Sequence, residues 1–294
     1  LLSKGVGGPK AKDGGPGNEQ PTTVAVQNGQ DTYVVTIYMN SDVKNNNWQC
    51  KCSSVKLSPG AAPEVVVDGL QLTDYKTGDR VCNHPKAATN GKHVVWSYGS
   101  DYNNASPQTF VTAVDHLCKT VAPKIKVSNN NNNNEGAPDI AYAGDGWFTG
   151  GYLSTGNNET SFAVGVQLYE SGTDVKLELK WRKGVVTPSN IGRPAITVVP
   201  GTKRALFCAS KGDNRPPEDG VQCAWLNTET GDIYWKEYIA QSQPKDKKYM
   251  NQPSVAYVGN GEYAVLVLES NGAGKGNNNA KGSTLSHLHI IRPS

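Results

Sequence analysis

Apolar runs of eight to ten residues, broken by turn-forming residues, recur along this chain. Residues 32–39 read TYVVTIYM, 161–170 SFAVGVQLYE and 262–269 EYAVLVLE. Such runs are rich in β-branched and aromatic residues, too short for typical helices, and bounded by Gly, Pro and Asn, so they predict strands. The runs also repeat as a set. Five segments carry a Pro, a short apolar stretch, a Gly-bearing turn and a second apolar stretch, anchored at Pro21, Pro85, Pro138, Pro194 and Pro253 with spacings of 64, 53, 56 and 59. A period in this range marks propellers and arrays.

Each unit reads as four strands. The first turn falls at Asn28-Gly29, Asn90-Gly91, Gly144-Asp145-Gly146, Pro200-Gly201 and Asn260-Gly261, where Asn and Gly tolerate the positive φ of tight hairpins. Third strands are expected at 48–57, 108–118, 161–170, 221–229 and 284–292, and fourth strands at 62–72, 122–128, 174–181 and 232–240. The last unit ends 41 residues after its anchor and 20 residues precede the first, together about one repeat. The N-terminal LLSKGVG is therefore expected to complete the last blade and cover its exposed edge.

The five anchors and their Gly turns resemble a five-bladed β-propeller over essentially the whole chain. The expectation is an all-β single domain of 1–294, built of four-stranded antiparallel blades near 20–82, 83–136, 137–192, 193–251 and 252–294 plus 1–19. Architecture alone is similar to tachylectin-like sugar binders and five-bladed glycoside hydrolases. LNTETGDIYW at 226–235 resembles one quinoprotein-type blade motif, but it occurs once and implies no cofactor.

Composition agrees with this and narrows the function. The 294 residues include 32 Gly, 17 Pro and, by count, 27 Asn, which leaves little room for long helices. A net charge of +3, scattered along the chain, argues against a nucleic-acid partner. No apolar run reaches the roughly 18 residues of a membrane helix, which argues against membrane insertion.

Within a blade, the loops joining strands two and three share a rim with the links between blades. These loops (41–47, 101–107, 155–160, 211–220 and 270–283) are all rich in Asn, and they carry Asp101, Tyr102 and Asp213. Amides donate and accept hydrogen bonds, and Asp or Arg can bridge vicinal hydroxyls, so this rim suits a glycan. Beside the anchors stand Gln20, His84, Asp139, Arg193 and Gln252, a polar set expected at the inner mouth of the ring or in hydrogen bonds to neighbouring blades. The resemblance to five-bladed hydrolases implies an Asp before the first Pro; this chain has Gln20 before Pro21, with Asp139 after Pro138 and Glu135 before it, and His84, Arg193 and Gln252 at the remaining inner positions. That departure argues against hydrolysis, which needs two facing carboxyl groups.

His287 and His289 share one strand face, a pattern that needs a third ligand before it holds a metal. Asp- and Asn-bearing loops offer oxygen ligands for Ca²⁺ but lack spaced carboxylates, so no cofactor is expected. The six Cys include no C-x-x-C pair and favour disulfides: Cys208 with Cys223, and Cys50 and Cys52 with Cys82 and Cys118 in an order left open. Asn158 lies in a glycosylation sequon, as does Asn104, weakened by Pro107. The reading is a secreted or cell-surface, non-enzymatic binder of glycans or surface proteins, acting in adhesion or matrix assembly. Its alternatives are a glycoside hydrolase or lyase, and a self-assembling structural subunit.

Overall fold

The computed structural model describes residues 17–42, 47–74, 82–100, 108–129, 134–155, 160–187, 194–211, 220–241, 248–271 and 284–292. They form nineteen strands and five antiparallel sheets. The first sheet, in the order β1-β2-β3-β4, holds β1 (Gly17–Asn28), β2 (Asp31–Asp42), β3 (Asn47–Leu57) and β4 (Glu64–Gln71). The second, β5-β6-β7-β8, holds β5 (Asn83–Thr89), β6 (Val94–Ser100), β7 (Gln108–Val114) and β8 (Thr120–Lys126). The third, β12-β11-β10-β9, holds β9 (Asn134–Gly144), β10 (Trp147–Thr155), β11 (Thr160–Ser171) and β12 (Asp174–Val186). The fourth, β13-β14-β15-β16, holds β13 (Ala195–Val198), β14 (Arg204–Lys211), β15 (Gly220–Asn227) and β16 (Ile233–Gln241). The fifth, β17-β18-β19, holds β17 (Lys248–Gly259), β18 (Glu262–Asn271) and β19 (Thr284–Ile291).

The five repeats read from the anchors are these five sheets, and the expected fourth strands are present as β4, β8, β12 and β16. The expected third strand 108–118 is shorter than its apolar run. It ends at Val114 because Asp115 Oδ1 accepts the amides of Leu117 and Lys119 at 2.8 Å each, turning the chain. The fifth sheet has three strands among the described residues, and the segment expected to complete it, Leu1–Gly7, lies outside them. The hairpin turns follow the sequence: Asn260 and Gly261 take φ of 51° and 74°, as a two-residue type I′ turn requires.

Two compact units divide the chain. The first comprises Leu1–Tyr142 with Gln167–Glu178. Its core gathers Val26, Val35, Ile37, Trp96, Tyr98 and Val114 around Cys50, Cys52, Cys82 and Cys118. All seven residues of β6 are buried, so the strand is covered on both faces and its sequence VVWSYGS shows no apolar–polar alternation. Two disulfides leave β3: Cys50–Cys82, which ends at the residue just before β5, and Cys52–Cys118, which ends in the turn between β7 and β8. This settles the pairing the sequence left open.

The second unit comprises Ala143–Val166 with Leu179–Ser294. Its core joins Leu206, Val221, Trp225, Tyr263, Val265 and Val267 around the third disulfide, Cys208–Cys223, whose cysteines face each other across β14 and β15. The LNTETGDIYW segment has a packing role here. Asn227 Oδ1 accepts the amides of Glu229 and Thr230 at 2.8 and 3.1 Å, shaping the turn after β15. Trp181 of β12 donates its indole N–H to the Thr228 carbonyl at 3.0 Å. Gly165 and Gly231 make room for its ring: a Cβ on Gly231, which has φ of +74°, would sit 2.6 Å from the indole, and one on Gly165 would collide with it.

Loop-closure entropy ranks the disulfides by the chain they enclose. Removing Cys52–Cys118, which spans 66 residues, is expected to cost about 4 kcal/mol. Removing Cys208–Cys223, which spans 15, is expected to cost about 3 kcal/mol. Urea unfolding of the two Cys-to-Ser double variants reads this order. Gly165→Ala is expected to destabilise by roughly 1–3 kcal/mol through overpacking, and by clearly less in a Trp181→Ala background. A double-mutant cycle followed by thermal unfolding measures that coupling.

Candidate functional site

Proline lacks the amide that an antiparallel ladder needs, and in three repeats the ladder breaks at the anchor. The register shifts between Glu19 and Thr22 in β1, between Asn83 and Lys86 in β5, and between Asn251 and Ser254 in β17. At each bulge the residue before Pro is left-handed: Gln20 at φ 52°, His84 at 52° and Gln252 at 46°. A non-glycine residue there is strained, and bulges of this kind re-aim side chains or terminate pairing. Pro85 and Pro253 are buried, which holds two of these bulges in place.

In the first unit, Gln20 Oε1 accepts the His84 N–H at 3.1 Å, and Thr22 Oγ1 accepts the Ala87 N–H at 3.0 Å. The Gln27 amide donates to the Gly91 carbonyl at 2.9 Å. Gln20 thus spends its carbonyl oxygen on the neighbouring sheet, as the interblade reading expects. His84 is half-buried beside it. Asp139, one residue past Pro138, is also half-buried, and its Oδ1 accepts the Ile140 amide at 3.0 Å. In the second unit, the Gln252 amide donates to Ser210 Oγ at 3.1 Å, and the Gln252 side chain is exposed. Arg193 lies outside the described residues, as do Asp101, Tyr102 and Asp213 of the Asn-rich loops and the sequon residues Asn104 and Asn158.

One carboxylate was not singled out in the sequence. Glu269 is 2% exposed, the one buried acid among the described residues, and its Oε2 meets His287 Nε2 at 2.8 Å. The signal was present: Tyr263, Val265 and Val267 are the buried alternate positions of β18, and residue 269 continues that phase. His287 and His289 lie opposite Val267 and Val265, their rings 6.5 Å apart, on the shared face the sequence indicated. Among the described residues no group of three His, Cys, Asp or Glu is placed to hold a metal ion. The first unit holds a second His–carboxylate contact: Glu170 pairs with Lys92 and lies 3.4 Å from His93 Nε2. Burial pushes the His93 pKa down against the attraction of Glu170, and burial followed by the charge of His287 pushes His289 down. Hydrogen bonding from Lys92 holds the Glu170 carboxyl below its usual range.

No protein-family model matches the sequence, and no curated protein matches it. Solved structures do. The Fusarium graminearum GH93 alpha-L-arabinofuranosidase in complex with arabinobiose superposes with a TM-score of 0.56 at 12% identity, covering 93% of this chain and 76% of that one. A Bacillus licheniformis GH43 endo-arabinanase matches with a TM-score of 0.42 at 11% identity over 93% and 92% of the two chains. For the Bombyx mori GH32 beta-fructofuranosidase with sucrose the values are 0.41, 10%, 85% and 55%, so this chain spans about 55% of that protein's length. The likeness to the arabinofuranosidase shows the fold, an all-β propeller-type arrangement of antiparallel sheets shared with a glycoside hydrolase.

Both depressed histidines are held neutral by the folded state, so the unfolded chain takes up protons first as pH falls. Stability is expected to be constant above the ordinary imidazole pKa, about 6.5, and to drop as pH moves below it. Acidification through the carboxylate range then removes the contribution of Glu170. Thermal unfolding between pH 8 and pH 4 follows both steps, and His93→Gln is expected to shrink the first.

Proposed function

We propose that this protein is a non-enzymatic carbohydrate-binding protein of the cell exterior, taking glycans or glycosylated surface partners in adhesion or matrix assembly. The observation that carries the reading is the chemistry of the bulges within each unit. Three equivalent pre-proline positions are strained into the left-handed region, and they bear an amide, an imidazole and an amide. Backbone strain of that kind collects at functional positions, and these groups exchange hydrogen bonds with hydroxyls without supplying a carboxyl group. The first of them stands where the resemblance to five-bladed hydrolases implies an Asp, and its oxygen is spent on the His84 amide. Three disulfides with no free cysteine fit an oxidising compartment. No helix among the described residues is long and apolar enough to cross a membrane.

Glycoside hydrolysis is the second reading, favoured by Glu269 alone. It requires another carboxyl group roughly 5–9.5 Å away, across the scissile bond. Incubating the protein with arabino- and xylo-oligosaccharides while monitoring heat of binding and new reducing ends separates the two. Saturable binding without release of reducing sugar, weakened several-fold in Gln252→Ala, is the expected result. Time-dependent release that disappears in Glu269→Gln would establish the hydrolase instead.

A further inference from the structure

The fourth sheet carries an aromatic hollow at the end of the sheet where β14 begins and β15 finishes. It has a volume of about 260 Å³ and is lined by Lys203, Arg204, Trp225, Asn227, Tyr234 and Trp235. Its shape originates in register. Trp225 pairs with Trp235 while Leu226 pairs with Ile233, so Tyr234 is the extra residue of a bulge. Neighbouring residues on a regular strand face opposite ways, but this bulge lets Tyr234 and Trp235 line one hollow. Tyr234 is 60% exposed, an unusual cost for so large a ring, whereas Trp225 is 7% exposed and forms the floor. Asn227 Nδ2 donates to Tyr234 Oη at 2.8 Å and leaves the phenol proton free to be donated outward.

Charge in the hollow is unbalanced. Lys203 is neutralised by Glu229 at 2.8 Å. The Arg204 guanidinium sits 5.6 Å from the centre of the Trp225 ring, held there by a cation–π contact, and no carboxylate among the described residues pairs with it. Aromatic faces receive the apolar C–H face of a sugar ring, and a planar guanidinium matches a carboxylate bidentately. The volume lies below the roughly 300–1,000 Å³ of sites for larger ligands, which suits one ring.

We infer that this hollow is a saccharide subsite selective for a uronic acid unit, stacked on Trp235 and Tyr234 with its carboxylate on Arg204. The inference rests on the carbohydrate-binding reading and assigns it a site distinct from the pre-proline positions. The test titrates the whole protein with trigalacturonate and with neutral xylotriose, following tryptophan fluorescence and heat of binding. Trigalacturonate is expected to bind about tenfold more tightly than xylotriose at low salt, the advantage shrinking as salt rises. Arg204→Gln should erase that preference, bringing the affinity for trigalacturonate down to that for xylotriose. Tyr234→Ala, at an exposed position, should weaken both sugars at least fivefold without lowering the unfolding temperature. If both variants bind trigalacturonate as the parent does, the hollow is not the site and carbohydrate binding elsewhere stands. If the parent binds neither these sugars nor any member of a broad glycan panel, the subsite and the function fall together.

Discussion

A proline inside a β-strand cannot donate to its neighbour, and the strained polar positions of each unit follow from that single deficit. In β1, β5 and β17 the ladder must skip at the anchor, and the skip forces the preceding residue out of extended geometry. Glycine would sit there without strain. The chain instead carries Gln20, His84 and Gln252, so each repeat accepts a backbone cost to keep a polar side chain at the break. In the first unit part of that cost is offset, because the Gln20 carbonyl oxygen satisfies the His84 amide and the β1–β5 approach is fixed by further bonds from Thr22 and Gln27.

The rest of each unit serves to hold these strands. Buried strands lie beside the first strand of their sheets: all seven residues of β6 next to β5, and six of the eight residues of β14 next to β13. Cys50 and Cys52, on one face of β3, are tied to the residue that precedes β5 and to the β7–β8 turn, so the first unit does not rely on side-chain packing alone to join its first two sheets. In the second unit the equivalent role falls to an indole: Trp181 seats on the β15–β16 turn through Gly165 and Gly231. Covalent links and aromatic docking are different solutions to the same problem of joining neighbouring sheets.

The architecture was legible because it rests on features local in sequence. Hairpin glycines and apolar runs are each visible within about ten residues, the anchors repeat them every 53 to 64, and together they returned five sheets with turns at the right places. The limits of β7 were less legible because an Asp115 side chain, and not an apolar boundary, ends the strand. Glu269 was missed for a related reason. A carboxylate at a strand end reads as solvated unless the burial phase of Tyr263, Val265 and Val267 is carried one step further. The aromatic hollow could not be read at all without coordinates, since it depends on the bulge that brings Tyr234 beside Trp235. Gln20 illustrates the converse: its identity excluded an acid at the first anchor, but only the structure connects its oxygen to the second sheet.

The proposed function is that a propeller-type scaffold shared with a glycoside hydrolase here holds sugar without cutting it. Saturation-transfer NMR on a mixture of intact oligosaccharides and this protein tests both halves in one sample. The expected result is transfer of magnetisation to the ring protons of bound saccharide, with the anomeric signals unchanged over a day. Absence of transfer, or growth of new anomeric signals from cleaved product, would contradict it.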